Sequence, residues 1–403
     1  MRWLPSLLAA EAIPSAMITF VALLLFVQLG VGWGESTLLC ALLMLPWVLK
    51  AWMLERLWHC ASVHHVLRIT EVLMCALLFA LAFCVRQPAL SPYVLFSILF
   101  LLGICCASHM LLARSYYERQ LSVRGQHYFR LLRIALLQAV TVLTYGLTLV
   151  TVGAMEVFFH KYQHPMAWSW STVLYSLAGL YLLLILWQLW ALHEVAPAAD
   201  VREAENAVPR HRRTMLLCLF FLLLPQALMF HTRVLFLLAP VSVGGLGCSL
   251  PWIGMAQGTV GIIAFSIGLG LGQRLERRRH VFSSIPSAPV TLVLSPFVYY
   301  AMTLWPPHTL LSLCVATFLA QFTFGFGLNA CIPYIRAVSG NRYSSTINYI
   351  YIPAVALVMI LPMAISGGLA EYLGFSRFFA FDAFMAVPAL IAAYVGRKMI
   401  SQY

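Results

Sequence analysis

The chain has 403 residues, of which 62% are hydrophobic and only 9% are charged. A soluble domain has roughly 45–50% apolar and about 25% charged residues, and a folded chain of this size cannot bury so large an apolar excess in its core. The composition therefore excludes a water-soluble enzyme and a disordered chain, and it indicates an integral membrane protein. The excess of 25 Lys and Arg over 13 Asp and Glu does not indicate nucleic-acid binding, because the charges lie in short segments between apolar runs.

Twelve apolar runs follow one another along the chain, each close to the ~20 residues that a helix needs to cross a bilayer. We predict transmembrane helices 1–6 at 4–31, 36–54, 66–85, 91–113, 129–153 and 168–192, and helices 7–12 at 214–239, 248–272, 286–305, 309–334, 346–369 and 376–396. The longest polar stretch, 193–213, lies between the two sets. The predicted fold is therefore an all-α bundle of two six-helix domains, 1–192 and 214–403, joined by a cytoplasmic linker.

The positive charges favour one orientation, because Lys and Arg are enriched in cytoplasmic loops. With both termini in the cytoplasm, twenty of the 25 Lys and Arg residues lie on the inner side and three, Arg86, Lys161 and Arg377, lie on the outer side. The remaining two, Lys50 and Arg233, fall inside predicted helices. We therefore expect a multi-pass membrane protein with both termini in the cytoplasm.

A short repeat relates the two halves. The tripeptide Leu-Glu-Arg occurs at 54–56, after predicted helix 2, and at 275–277, after predicted helix 8. An acid followed by Arg at this place resembles the loop motif of the major facilitator superfamily, whose usual acid is Asp. The acids would cap a neighbouring helix, and the arginines would form ion pairs or meet lipid phosphate; two unrelated basic loops are the alternative. The motif residues are Glu55, Arg56, Glu276 and Arg277.

Motifs spread over most of the chain carry a more specific resemblance. Helix 2 ends in Leu-Pro-Trp-Val-Leu-Lys at 45–50, and helix 10 carries Gln-Phe-Thr-Phe-Gly-Phe-Gly at 321–327. Glycine-rich stretches occupy 244–249 and 258–261, around the start of helix 8. In sequence and order these stretches resemble the AmpG-like permeases, the peptide, acetyl-CoA and muropeptide transporter family of the same superfamily.

The resemblance implies secondary active transport without ATP or a cofactor. It implies import of a polar, anionic cell-wall fragment such as an anhydromuropeptide, coupled to protons, with the solute bound between the two halves during alternating access. The expected location is the inner membrane of a Gram-negative bacterium, and the expected partners are a small solute, protons and the lipid bilayer, with no nucleic acid and a monomeric chain. Import of another organic solute, such as a siderophore, and a membrane sensor that does not transport are the alternatives. Since the sequence has no catalytic constellation or nucleotide fingerprint, we do not expect an enzyme.

Ionisable side chains inside a bilayer are costly and usually functional, and three of them have competing interpretations. Glu11 in helix 1 is the candidate for proton coupling, because a carboxyl in a low-dielectric cavity takes up a proton near neutral pH; the alternative is a solvated acid or one paired with a structural Arg. Lys50 would pair an acid of helix 1 or 11 or bind anionic cargo, unless it extends to the interface. For Asp382 in helix 12 we expect an ion pair with Arg377 or a buried hydrogen bond.

Helix 7 contains the strongest candidate for cargo binding. Arg233 lies seven residues after Gln226, so the two share a helix face, and Arg binds carboxylates or phosphates through two parallel hydrogen bonds. An interfacial anchor is the alternative for Arg233. Helix 10 adds two amides and a glycine, Gly325, that favours either close packing or bending. The predicted substrate-binding residues are Arg233, Gln226, Gln321, Asn329 and Lys50.

Overall fold

The computed structural model describes residues 3–50, 63–87, 91–121, 123–192, 212–278, 287–339 and 343–400. Within these ranges the chain is almost entirely helical and contains no strand. Ten described helices are long and apolar enough to cross a membrane, and they correspond to predicted helices 1, 3 to 8 and 10 to 12. Their spans are Pro5–Gln28, Val63–Val85, Pro92–Tyr117, Ala135–Lys161, Met166–Ala191, Arg213–Leu238, Leu250–Leu275, Leu310–Ile335, Ala354–Leu373 and Phe375–Met399.

The other two predicted helices are present in shorter form. Helix 9 runs over Ser287–Leu304. Helix 2 begins as Trp33–Leu42 and resumes at residues 45–50 after a two-residue turn. The break has a local cause, because the ring of Pro46 would clash with the carbonyl of Leu42, four residues earlier. With these two segments, the described chain contains all twelve predicted helices.

Several helices extend beyond their apolar spans or change their winding. Helix 4 runs over Pro92–Gln120, helix 7 over Arg212–Leu238 and helix 11 over Tyr343–Leu373.

Helices 1, 5 and 8 each contain a π-helical turn, in which the backbone is wound more widely and which is often found at functional sites. These turns are Met17–Val21, Leu143–Leu147 and Gly254–Gly261. Helix 10 continues from Leu310–Gly327 through a 3₁₀ turn, Leu328–Cys331, into Ile332–Ser339, and helix 12 is divided into Phe375–Phe384 and Ala386–Ile400.

The described residues form two compact units. The N-terminal unit is drawn from Met1–Val31 and Leu43–Ala204, and the C-terminal unit from Gly32–Leu42 and Glu205–Tyr403. The first part of helix 2 thus packs with the C-terminal unit, although the predicted domain boundary places it in 1–192. The predicted linker 193–213 lies almost wholly outside the described residues, so the domain boundaries stay a prediction.

Contacts with helix 11 explain why the first part of helix 2 groups with the C-terminal unit. The carboxylate of Glu371 accepts hydrogen bonds from the backbone N–H groups of Trp33, at 2.7 Å, and Gly34, at 3.2 Å. A carboxylate at this position satisfies free N–H groups at a helix N-terminus and interacts favourably with the helix dipole. One turn further along, the hydroxyl of Thr37 accepts a hydrogen bond from the N–H of Gly367 at 3.1 Å.

Small residues also bring helices 8 and 10 together. A Cβ atom added to Gly268 would overlap the backbone of Phe322, and one added to Gly325 would overlap the backbone of Phe265. Such a crossing is possible only where both helices present glycine, which lets the two backbones approach closely. These contacts give Gly325 a packing role in the C-terminal unit.

Candidate functional site

Arg233 is a buried cation in helix 7 of the C-terminal unit. Its side chain is 6% exposed, and its Nε atom is buried without a hydrogen-bond partner among the described residues. No carboxylate of the described chain forms an ion pair with it. Its Cζ atom lies 5.0 Å from the centre of the Phe230 ring, and a cation–π contact of this kind compensates only part of the cost of desolvation. The site therefore has a positive charge whose counter-charge the described protein does not supply.

A buried polar network spans helices 8, 9 and 10 of the same unit. The Nε2 atom of Gln257 donates to the hydroxyl of Tyr299 at 2.8 Å, and the Nε2 atom of Gln321 donates to Oε1 of Gln257 at 3.2 Å. The charge of Arg233 acts on the Tyr299 hydroxyl, so the network and the cation are close in space. Amides and a hydroxyl can exchange these bonds for bonds to a polar solute. We name Arg233, Gln257, Tyr299 and Gln321 the C-terminal cluster.

Local structure places Gln257 in this cluster. It lies within the π-helical turn Gly254–Gly261 of helix 8, and the end of that turn is close to helix 10. A Cβ atom added to Gly261 would come within 3.3 Å of Cγ of Gln321. Gln257 and Tyr299 are not predicted from the sequence, because a neutral polar side chain in a membrane helix is not unusual. The glycines on either side of Gln257 were the available signal.

Two of the predicted cargo ligands bond to neighbouring backbone instead. The Nε2 atom of Gln226 donates to the carbonyl of Leu292 in helix 9 at 2.6 Å. The Nδ2 atom of Asn329 donates to the carbonyls of Phe326, at 2.9 Å, and Leu269, at 3.4 Å. The structure does not bring Gln226 into hydrogen-bonding contact with Arg233 despite their shared helix face. Their role as cargo ligands stays a prediction.

In the N-terminal unit, Glu11 forms a buried ion pair. Nη2 of Arg133 lies 3.1 Å from Oε1 and 3.4 Å from Oε2 of Glu11, and the two side chains are 16% and 3% exposed, respectively. The interpretation that Glu11 pairs with an Arg is therefore the one that the structure shows. Arg133 belongs to helix 5 and was counted as an inner-surface charge. Its place inside the predicted helix 129–153 was the signal that it faces a partner.

Lys50 joins this pair. Its side chain is only 3% exposed, so it does not extend to the interface. Its ammonium lies 3.8 Å from Sδ of Met110 and interacts electrostatically with Glu11. This placement agrees with the expectation that Lys50 meets an acid of helix 1. We name Glu11, Arg133 and Lys50 the N-terminal cluster.

Asp382 does not form the expected ion pair with Arg377. Its side chain is completely buried, and neither carboxylate oxygen has a hydrogen-bond partner among the described residues. The expectation was wrong because residues five apart on a helix are about 140° apart around its axis, and Arg377 is exposed. A carboxyl group without a hydrogen-bond partner is costly in an apolar interior.

The repeated loop motif is only partly visible. Glu276 and Arg277 lie near the end of the helical segment Ile262–Arg278, with side chains outside the described set, and Glu55 and Arg56 lie outside the described residues. Their equivalence in the two halves stays a prediction. In the part of the chain that is described, no group of three or more His, Cys, Asp or Glu side chains could hold a metal ion.

Part of the chain is similar in sequence to known permeases. No protein-family model matches the chain. Over 160 residues, which are 39% of this chain, it is 26% identical to the anhydromuropeptide permease of Escherichia coli (strain K12), and the match covers 32% of that protein. A second permease of the same description, from Escherichia coli O157:H7, matches equally. The chain thus spans about a third of the length of the curated relatives that it matches. The similarity confirms the resemblance to AmpG-like permeases.

Solved structures match over nearly the whole chain. A bacterial homologue of the human lysosomal transporter Spinster superposes with a TM-score of 0.71 at 13% identity, covering 100% of this chain and 96% of that one. A point mutant of the nucleoside transporter NupG gives 0.70 at 14% identity, covering 99% of each chain. A POT family transporter in complex with a thioalcohol-conjugated peptide gives 0.70 at 12% identity, covering 98% of this chain and 96% of that one. These matches confirm the major facilitator fold.

Proposed function

We propose that this chain is a secondary active transporter that imports an anhydromuropeptide-like solute together with protons. In this proposal a single chain works by alternating access in the inner membrane of a Gram-negative bacterium, with both termini in the cytoplasm. The observation that carries the proposal is Arg233, a buried guanidinium with no carboxylate partner in the described protein. The similarity to an anhydromuropeptide permease supports the class of solute.

Arg233 would hold an anionic group of the solute. A guanidinium offers a planar pair of donors that matches a carboxylate, and the peptide part of a muropeptide ends in carboxylates. Hydrogen bonds to charged groups contribute roughly 1.5–3 kcal/mol each. The solute would then supply the counter-charge that Arg233 lacks, while Gln257, Tyr299 and Gln321 would bond to its sugar hydroxyl and amide groups.

Glu11 would carry the coupling proton. In its ionised form it holds Arg133 at 3.1 Å, and Lys50 adds a second positive charge. Protonation of Glu11 would remove the negative charge and leave two cations facing each other, which favours a rearrangement of the N-terminal cluster. The Glu11–Arg133 ion pair would then be more than a structural contact. It would exist with Glu11 either ionised or protonated, and proton coupling requires two such states.

Transport by the purified protein in proteoliposomes tests the proposal. A pH-sensitive dye inside the vesicles reports proton movement when an anhydromuropeptide is added outside. We expect the lumen to become more acidic on addition, and the solute to accumulate when the outside is more acidic than the inside. A protonophore should abolish the accumulation. A nucleoside serves as the matched control probe, since a nucleoside transporter shares the fold. No proton movement and no uptake with the anhydromuropeptide would contradict the proposal.

A further inference from the structure

A second buried acid–base pair lies in the N-terminal unit, apart from Glu11 and Arg133. Nε2 of His109 in helix 4 lies 3.0 Å from Oε1 of Glu71 in helix 3. The two side chains are 0% and 1% exposed, respectively. The mechanism proposed above uses neither residue. A buried pair of this kind therefore needs an explanation of its own.

The pair has unused hydrogen-bonding capacity. Oε2 of Glu71 and Nδ1 of His109 are both buried, and neither has a hydrogen-bond partner among the described residues. A buried polar pair that serves only packing normally has all its atoms bonded, because an unpaired buried polar atom keeps the full cost of its desolvation. The incomplete bonding favours a role in which the protonation of the pair changes.

The proton inventory of the pair allows two states. With a carboxylate on Glu71 and one N–H on His109, the pair carries a net charge of −1. Addition of one proton from water to either side chain gives a neutral pair, in which Nε2 and Oε1 share a hydrogen bond, and release of the proton to water restores the first state. Because an isolated charge is costly in the membrane interior, proton binding here depends on the charges nearby.

Two tyrosines interact both with the pair and with groups at the N-terminal cluster. The hydroxyl of Tyr181 in helix 6 donates to the carbonyl of Ala10, next to Glu11, at 3.3 Å, and it interacts electrostatically with Glu71. Tyr117 in helix 4 interacts electrostatically with Glu71, Glu11 and Arg133. The other groups that interact with these two tyrosines are Cys75, Cys105, Cys106, Glu11 and Arg133. On helix 3, Arg68 lies one turn before Glu71 and donates to the carbonyl of Leu192 at 3.0 Å.

We infer that Glu71 and His109 form a second proton-binding site, whose occupancy is coupled to solute transport. This inference rests on the proposed function and adds to it a site in helices 3 and 4. One net charge of the N-terminal cluster favours the neutral form of the pair, and another favours the form with a charge of −1. The pair therefore binds or releases one proton when the charge of the cluster changes. Tyr117 and Tyr181, which interact with groups of both sites, connect the pair to the N-terminal cluster.

Two transport assays in proteoliposomes test the inference, with an anhydromuropeptide as the probe. The first is accumulation driven by a pH gradient, and the second is counterflow, the exchange of labelled for unlabelled solute without a gradient. We expect Glu71→Gln and His109→Gln to lower gradient-driven accumulation by about tenfold, a typical coupling effect, and to weaken the pH dependence of counterflow, with the dependence that remains arising from Glu11. The rate of counterflow itself should change by less than about twofold. Glu35→Gln, at an exposed carboxyl of helix 2, is the matched control and should behave like the wild type.

Failure of the proposed function and failure of the inference on Glu71 and His109 give different results in these assays. If the wild type shows no gradient-driven accumulation, the proposed function itself has failed, and no variant is needed to see it. If the wild type accumulates solute and both variants do so with an unchanged pH profile, the pair is not a proton site. Loss of counterflow as well as accumulation in both variants, at normal membrane abundance, would assign the pair to helix packing and overturn the inference.

Discussion

Two guanidinium groups, the partly buried Arg133 and the buried Arg233, have opposite surroundings. Arg133 is bonded to the carboxylate of Glu11, whereas Arg233 has no carboxylate partner in the described chain. Breaking a buried ion pair from one side leaves an uncompensated charge and is strongly destabilising. Removal of an already uncompensated charge does not have this cost. The two arginines should therefore respond differently to truncation.

Arg133→Ala should lower the stability of the purified protein by up to roughly 3 kcal/mol, because it removes the hydrogen-bonded partner of a buried carboxyl group, Glu11. The double variant Glu11→Gln, Arg133→Ala removes both charges and should recover part of this loss. The measurement is the apparent Tm in detergent for the wild type, the two single variants and the double variant. Strictly additive effects of the two substitutions would show that the pair contributes nothing as a pair.

Tyr299→Phe tests the network beside Arg233. The substitution removes the hydroxyl that accepts from Gln257 and leaves a buried amide N–H unpaired, which costs about 1–3 kcal/mol. Tyr300→Phe is the matched control, since the Tyr300 side chain is only partly buried. We expect a lower apparent Tm for Tyr299→Phe and an unchanged one for Tyr300→Phe. An equal response of the two variants would argue against a bonded network.

The sequence alone indicated four members of the two clusters, Glu11, Lys50, Arg233 and Gln321, and it did not indicate Arg133, Gln257 or Tyr299. Glu11, Lys50 and Arg233 stand out because a charge inside an apolar run is rare. Gln257 and Tyr299 do not stand out, because their contact depends on which helices adjoin and how each is rotated. The ion pair of Arg133 was not predicted for a different reason. Counting positive charges assigns each Arg near the inner end of a helix to the membrane surface, and it does not consider whether the side chain has a partner.

At the scale of helices, the apolar runs predicted the number and order of the elements well. They predicted the ends less well: helix 4 was expected to end at 113 and runs to Gln120, and helix 5 was expected to end at 153 and runs to Lys161. Hydropathy reports the part of a helix that faces lipid, whereas backbone hydrogen bonds continue the helix into the polar region. The π-helical turns could not be predicted, because a wider turn leaves the hydropathy of the segment unchanged.

The glycine crossing of helices 8 and 10 gives a prediction at this scale. Gly268→Ala places a methyl group against the backbone of Phe322, whereas Gly270→Ala places one in open space, with no described atom within 4 Å. We expect the first substitution to cost about 1–3 kcal/mol through overpacking, and the second to be neutral or slightly stabilising. The measurement is the apparent Tm of the two variants, which should be lower for Gly268→Ala than for Gly270→Ala. A Gly268→Ala variant as stable as Gly270→Ala would mean that the helices do not cross this closely.

At the scale of the whole molecule, the charge asymmetry predicts the topology. A cysteine introduced by Glu205→Cys, in the linker, should react with a membrane-impermeant thiol reagent only after the cells are made permeable. Cys248, between helices 7 and 8 on the expected outer side, should contribute little background, because burial raises the pKa of its thiol to about 11 and keeps it protonated. Labelling of the introduced cysteine in intact cells would contradict the topology.

The central claim is that Arg233 binds an anionic group of the transported solute, and uptake by two variants at equal membrane abundance tests it most directly. Arg233→Lys keeps the charge but loses the planar pair of donors, and Arg233→Ala loses both. With an anhydromuropeptide as the solute, we expect uptake to fall about ten- to a hundredfold in Arg233→Ala, as the loss of a charge-assisted contact requires, and to fall less in Arg233→Lys. Uptake by Arg233→Ala at the wild-type rate would contradict the claim.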